Sequence, residues 1–295
     1  MSNPDQIQRF VFDNAQVRGV ITGIQESYAE VLSRDSYPRP VQILLGELLA
    51  ACALFSTILK FEGRLSIQAR TEGALKMIQA ECNHQADLRA IARWEGEISD
   101  DDSAISLLQQ GGQMAITIEP EQGQRYQGVV ALEGDTLAAC LQEYFNRSEQ
   151  LPTRIHLSAN GIDAAGMMLQ VLPESAESSQ QDEDCWNRLD HLVATLSDEE
   201  LLGLDNETVL TRLFHEEEVR VFPVQDLRFH CDCSRERCGS ALVSLAREEL
   251  EEILSEQPVL EVSCQFCNER YEFDRSDIEV LFNPGAIAGD NQQIH

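Results

Sequence analysis

Cys231-Asp232-Cys233 and Cys264-Gln265-Phe266-Cys267, with thirty residues between the pairs, decide how the last quarter of this chain folds. A four-coordinate zinc wants a tetrahedron of soft donors, and each short cluster supplies two of them from one local turn. Cys-x-x-Cys is the usual knuckle. Cys-x-Cys is rarer and tighter, and its two sulfurs can share a metal when reduced or bond to each other when oxidised. Buried free thiols are not usually gathered at such spacings, and nothing else in the chain points to a secreted disulfide framework. The expected metal ligands are therefore Cys231, Cys233, Cys264 and Cys267, holding one zinc ion. Spacing alone does not separate a structural zinc from a switch.

Composition bounds the rest. A chain of 295 residues, 43% hydrophobic and 25% charged, is that of a soluble globular protein with more than one domain. The net charge of -29 repels nucleic acid over most of the surface, so no nucleic-acid partner is expected. The N-terminus lacks the basic and apolar regions of a signal peptide, which fits a cytoplasmic, reducing compartment. Val41 to Phe61 imitates a membrane span, but Glu47 within it would cost about 3 kcal/mol near a bilayer centre. A long buried helix, opening after Tyr37-Pro38-Arg39-Pro40 and ended by Gly63, is the expectation, with no membrane partner.

Residues 1–173 read as an N-terminal α+β domain. Gly19 to Thr22 is a short strand, and Arg64 to Arg70 alternates strictly as a strand with one buried face. Further strands are expected at 88–94, 113–118, 126–130, 154–158 and 167–171. Helical spacing at Leu137, Leu141 and Phe145 follows Asp135 as its N-cap.

The composition shifts at residues 174–218, with fourteen acidic residues against Arg188 and Arg212. Residues 174–184 read as a flexible connector. Beyond it, Leu189, Leu192, Val193 and Leu196 share one helix face, and Ser197 to Glu200 is a capping box ahead of Leu201, Leu202 and Leu204. Asn206 is expected to cap a third helix carrying Val209, Leu210, Leu213 and Phe214. Each helix is too short to hold alone in water, so all must lie on the first domain or on the zinc module. A packed linker and a reversibly unfolding one are both compatible with this pattern.

The zinc module is expected over 219–282, with a helix near 247–254, strands at 259–262 and 270–273 flanking the second knuckle, and a last helix at 276–282. Residues 283–295 read as a disordered tail. Structural zinc contributes an apparent ~10–16 kcal/mol to small zinc domains. Whole domains have only ~5–15 kcal/mol of net stability, so metal loss should unfold this module. Zinc-bound thiolate is also what peroxide or hypochlorous acid attacks, giving a sulfenic acid that condenses with a nearby thiol. The short spacings favour Cys231–Cys233 and Cys264–Cys267. Arg235 and Arg237 read first as ordinary solvated residues, with holding thiolates reactive as the alternative. Cys238 is read as a free thiol, with substitution for Cys233 as the lesser alternative, and His215 and His230 as packing or exposed residues. His84, His156 and His191 read as structural, and Cys140 and Cys185 as packing residues. No nucleophile elbow, phosphate loop or zinc-protease motif occurs.

The chain resembles the 33-kilodalton heat-shock protein family of bacterial redox-regulated chaperones over nearly its whole length. The resemblance rests on Val17 to Val20, Leu44 to Ala51, Gln68 to Gly73, Tyr144 to Thr153, and Cys231 to Cys238. It implies that the four cysteines bind zinc when reduced, and that oxidation forms two disulfides, releases the metal and unfolds the module with its linker. It also implies ATP-independent binding of unfolding client proteins and dimerisation of the oxidised form.

The main expectation is an oxidation-activated holdase and not an enzyme. Zinc loss would remove the platform under Leu189, Leu192, Val193, Leu196, Leu201, Leu202, Val209, Leu210, Leu213 and Phe214, freeing them for clients. Two alternatives are a thiol–disulfide oxidoreductase using Cys264 and Cys267, for which no thioredoxin-like setting is seen, and a structural zinc-ribbon adaptor.

Overall fold

The computed structural model describes residues 5–57, 62–172, 184–243, 245 and 247–282. The connector 174–183, the boundary at Pro173 and the tail 283–295 lie outside the described residues. The chain forms two compact units, Met1–His230 and Cys231–His295.

The first unit begins with strands β1 (Gln6–Phe12) and β2 (Val17–Ile24), then helices α1 (Glu26–Leu32) and α2 (Arg39–Ser56). Strands β3 (Gly63–Arg70), β4 (Leu75–Asn83) and β5 (Asp87–Trp94) form a meander, followed by α3 (Ala104–Gln109), β6 (Gln113–Pro120) and β7 (Tyr126–Val130). Helix α4 (Leu137–Tyr144) runs into a π-helical turn, Phe145–Glu149, ahead of β8 (Thr153–Ala159) and β9 (Ala164–Val171). Three short helices, α5 (Cys185–Ala194), α6 (Asp198–Gly203) and α7 (Asn206–Phe214), lead to β10 (Val219–Val221), β11 (Gln225–Asp226) and β12 (Arg228–Phe229).

These strands make two six-stranded sheets. One has the order β10-β1-β2-β9-β8 with β11 also on β1; the other has the order β12-β5-β4-β3-β6-β7. Helix α2 packs against strands of both. Thirteen of its eighteen residues are buried, which accounts for its membrane-like composition without a membrane. Close approach is built in: a Cβ on Gly46 would lie 2.6 Å from Ala159 Cβ, and one on Gly19 would lie 2.1 Å from the ring of Phe10 opposite it.

The first sheet is buried on both faces. Ile7, Val20, Ile24, Ala164 and Met168 join the core around α2. Phe10, Phe12, Ile21, Ala165, Met167 and Leu169 face the other way, onto α5–α7. There Phe214 meets Phe12 edge-on at 5.0 Å and Phe10 at 6.0 Å. The platform for residues 189–214 is thus this sheet, which offers a broad apolar face. The capping box at Ser197 and Glu200 forms as predicted.

Several boundaries differ from the sequence reading. Strands β10 and β11 pair with β1, and β12 pairs in parallel with β5, so residues 219–230 belong to the first unit and not to the zinc module. Main-chain pairing holds these short strands although most of their side chains are exposed. Gly63 opens β3, and Thr57 caps α2. Thr136, not Asp135, accepts the N-terminal N–H of α4, and Asp205, one residue before Asn206, caps α7. Helix α1 and strands β1 and β4 were not expected.

Candidate metal centre

The second unit consists of α8 (Arg235–Leu242), α9 (Arg247–Glu256), the hairpin β13 (Val259–Ser263) and β14 (Arg270–Asp274), and α10 (Arg275–Phe282). Its apolar core is small: Leu242, Leu250, Leu254, Leu260, Phe273 and Ile278 are buried together. Among the described residues, six buried side chains are a thin core for a unit of this size, which leaves room for a cross-link to matter.

Each cysteine pair is held by local backbone. Cys231 and Cys233 precede α8, whose N-cap Ser234 accepts the Arg237 N–H. Cys264 to Cys267 turn the hairpin: Cys264 N–H donates to Glu269 O at 2.8 Å, and Asn268 N–H donates back to Cys264 O at 2.9 Å. Asn268 takes a left-handed φ of 60°, which asparagine tolerates better than most residues.

The four sulfurs converge, all within 4.8 Å of one another. Cys231 and Cys264 Sγ are 3.6 Å apart, and Cys233 and Cys267 Sγ are 3.4 Å apart. A tetrahedron with bonds of ~2.3 Å has edges of about 3.8 Å, so the set fits zinc in size, number and softness. Every predicted ligand is present, brought together across the two clusters. The short cross-cluster distances and the short sequence spacings leave the pairing of an oxidised form open.

The thiols differ in environment. Burial raises the Cys264 thiol, but the backbone N–H groups of Cys267 and Phe266 and the neighbouring sulfurs outweigh it, holding it below the ordinary value. Burial pushes Cys267 up, and the adjoining sulfurs add to that. Tyr271 Oη lies 3.2 Å from Cys233 Sγ, a contact the sequence did not announce. Cys238 sits beside the cluster but outside the four, its thiol raised by burial and then by Cys264.

Both arginines have partners other than the thiolates, so the alternative of holding thiolates reactive gains no support. Arg235 stacks over Phe273 at 4.6 Å and binds Asp277 at 2.6 Å, while Arg237 pairs with Asp232 at 2.5 Å. Nearer carboxylates claim both. His230 instead reaches Asp87 at 3.3 Å, and His215 lies exposed beside Glu216. Of the residues expected to meet clients, Leu189, Val193, Leu196, Leu201, Val209, Leu210, Leu213 and Phe214 are buried, with Leu192 and Leu202 partly so. All ten belong to the cluster on the first sheet. Cys264-Gln265-Phe266-Cys267 turns an antiparallel hairpin and does not open a helix after a parallel strand, so it lacks the setting of a dithiol oxidoreductase.

Comparison with known proteins agrees with this geometry. The family model described as Hsp33 protein matches residues 5–274. A 33 kDa chaperonin of Pseudomonas aeruginosa is 48% identical over 297 residues, covering 100% of both chains. That of Ectopseudomonas mendocina is 49% identical over 293 residues, 99% of each. The crystal structure of a 33 kDa chaperonin, a heat shock protein 33 homolog from Thermotoga maritima, superposes with a TM-score of 0.78 at 23% identity. It covers 94% of this chain and 97% of that one, and shows the shared fold. The class is that of a chaperone, not an enzyme. The chain belongs to the Hsp33 family.

Proposed function

We propose that this protein is an ATP-independent holdase switched on by oxidation of the four-cysteine cluster. The observation that carries the proposal is the convergence of Cys231, Cys233, Cys264 and Cys267 on one point in a unit whose apolar core, among the described residues, gathers six buried side chains. A single zinc ion bound there in the reduced state would offset half of the charge of four thiolates and tie the two clusters together.

Hydrogen peroxide reacting with one thiolate gives a sulfenic acid. The second thiol of the pair displaces its hydroxyl, leaving a disulfide and, over both steps, two waters per peroxide. The proposed pairs are Cys231–Cys233 and Cys264–Cys267. Disulfide sulfurs have no charge with which to hold a cation, so residues 231–282 lose their cross-link and unfold. The route to the linker is covalent: Cys231 follows directly on His230, and β12 before it is only two residues long. Loss of order at 231 loosens β12, β11 and β10, and then α7. Release of α5–α7 uncovers their apolar stripes together with Phe10, Phe12, Ile21, Met167 and Leu169 on the sheet, which receive unfolding clients.

The net charge of -29 keeps such complexes dispersed and argues against nucleic-acid partners. A reducing cytoplasm, where thiols rest in the reduced form, and dimerisation through the uncovered surface belong to the same reading. The test compares reduced and peroxide-treated protein on a heat-unfolding client, with metal release followed by a chromogenic chelator and helicity by circular dichroism. Protection from aggregation only after oxidation, with metal release and loss of helix, is expected. Equal protection by both forms, or metal retained under peroxide, overturns the redox switch.

A further inference from the structure

The run Tyr144 to Thr153, distinctive in the sequence, plays no part in the metal centre. In the structure it builds one wall of a separate cavity of about 370 Å³, within the size range of small-molecule sites. After Tyr144 the helix widens into the π-helical turn Phe145–Glu149, and Gln150 ends it with a left-handed φ of 55°. Such turns are rare and recur at functional sites because they re-aim side chains. Tyr144 lies directly over strand β7, where a Cβ on Gly128 would come within 2.1 Å of its hydroxyl. The rest of the wall is apolar: Phe55, Leu65, Ile116, Ile118 and Phe145 line it.

Two polar groupings face this apolar space. On one side, Tyr126 and Tyr144 hydroxyls each donate to Glu149 Oε1 at 3.1 Å, so that carboxylate is occupied. On the other is the Arg18 guanidinium, half-buried. Its Nε and one terminal nitrogen donate to Gln170 Oε1 at 3.2 and 2.5 Å. Gln170 is fully buried and fixed in turn by donating to Thr153 Oγ1 at 2.9 Å. Burial lowers the Arg18 pKa from its ordinary value, though not enough to discharge it. Among the described residues no carboxylate lies within ion-pair distance of Arg18, in a chain with 51 acidic residues. A held, partly desolvated guanidinium with donors to spare, beside an apolar chamber, is the arrangement that receives a carboxylate carrying an apolar body.

We infer that this cavity binds a small amphipathic carboxylate, its acid group on Arg18 and its hydrocarbon among Phe55, Leu65, Ile116, Ile118 and Phe145. This site is independent of the redox reading, since it lies in the first unit and uses no cysteine.

The test is calorimetric titration of the full-length reduced protein with decanoate below its micelle concentration, and with decanol as the uncharged analogue. Saturable binding of one decanoate per chain is expected, with decanol at least about tenfold weaker. Arg18→Gln should weaken decanoate about tenfold or more while leaving decanol binding, circular dichroism and zinc content as in the wild type. Ile118→Trp, which fills the chamber, should abolish binding of both, and it carries the test if Arg18→Gln does not fold. Absent or many-fold stoichiometric binding, equal affinity for decanol, or wild-type affinity in a folded Arg18→Gln or Ile118→Trp variant overturns the inference.

Discussion

On one face of the first sheet, Val20, Ile24 and Met168 lie under α2; on the other, Phe10, Ile21 and Met167 lie under α5–α7. Both covers are apolar where they touch the sheet, yet they are built differently. Helix α2 is one continuous element of 18 residues that packs on strands of both sheets. The other cover is three pieces of 10, 6 and 9 residues, each with one buried stripe and a polar outer side. Helices that short have little stability of their own, so that cover holds only as long as its packing does. Burial of equal quality can therefore be permanent on one face and conditional on the other. Continuity and the number of surfaces engaged make the difference.

The contrast is most severely tested in α2. Leu48→Ala removes a fully buried side chain and should cost ~2–5 kcal/mol, seen as a lower urea midpoint of the whole first unit. Phe214→Ala removes the ring that meets Phe10 and Phe12. It should lose up to about 3 kcal/mol, but locally. Amide exchange should rise across α5–α7 and a hydrophobic dye should bind the reduced protein, while β3–β6 stay protected. If β3–β6 exchange just as fast, the two covers are one cooperative unit and the contrast fails.

The two covers also meet electrostatically. Burial, and next the nearby Asp198 at the start of α6, push the Glu47 carboxyl of α2 up to about 8. An ordinary glutamate titrates near 4.3, so the folded state holds this proton more tightly than the unfolded chain does. The resulting stabilisation is fully present below about pH 4.3 and is progressively lost as pH rises to about 8. Above that, a second carboxylate faces Asp198, which also binds His156 at 2.8 Å. Thermal melts from pH 5 to 9 should show a fall of a few degrees in the wild type that is smaller in Glu47→Gln. Parallel curves would remove Glu47 from the account. Smallest of all, Ser197→Ala deletes the capping box of α6 and should raise local opening of the linker by about 1 kcal/mol without moving the urea midpoint of the sheets.

The sequence made the four-cysteine cluster legible because metal-site chemistry depends on residue type and spacing, and both are local. The strict alternation of β3 and the stripes of α5–α7 were legible for the same reason. Contacts remote in sequence were not. Helix α1 has no cap of its own, because Asp5, twenty residues earlier, accepts the N–H groups of Gln25, Glu26 and Ser27. Strand β4 carries Lys76, Gln79 and Glu81 and reads as polar until its neighbours β3 and β5 are in place. One signal was available for the linker: Met167-Met168-Leu169 is unbroken where a one-faced strand would alternate, which marks a strand buried on both sides.

The linker is also stitched at both ends to the sheet it covers. It leaves from β9, and β10 returns to β1 through Phe10↔Val221, Val11↔Arg220 and Phe12↔Val219. While those pairs hold, helices that let go form a closed loop and not a trailing end. Such a loop searches only a small volume, so its rebinding is a first-order event whose rate does not depend on protein concentration. In the proposed switch, where β10 loosens before α7, re-pairing of β10 with β1 is the step that restores a tethered lid over the sheet.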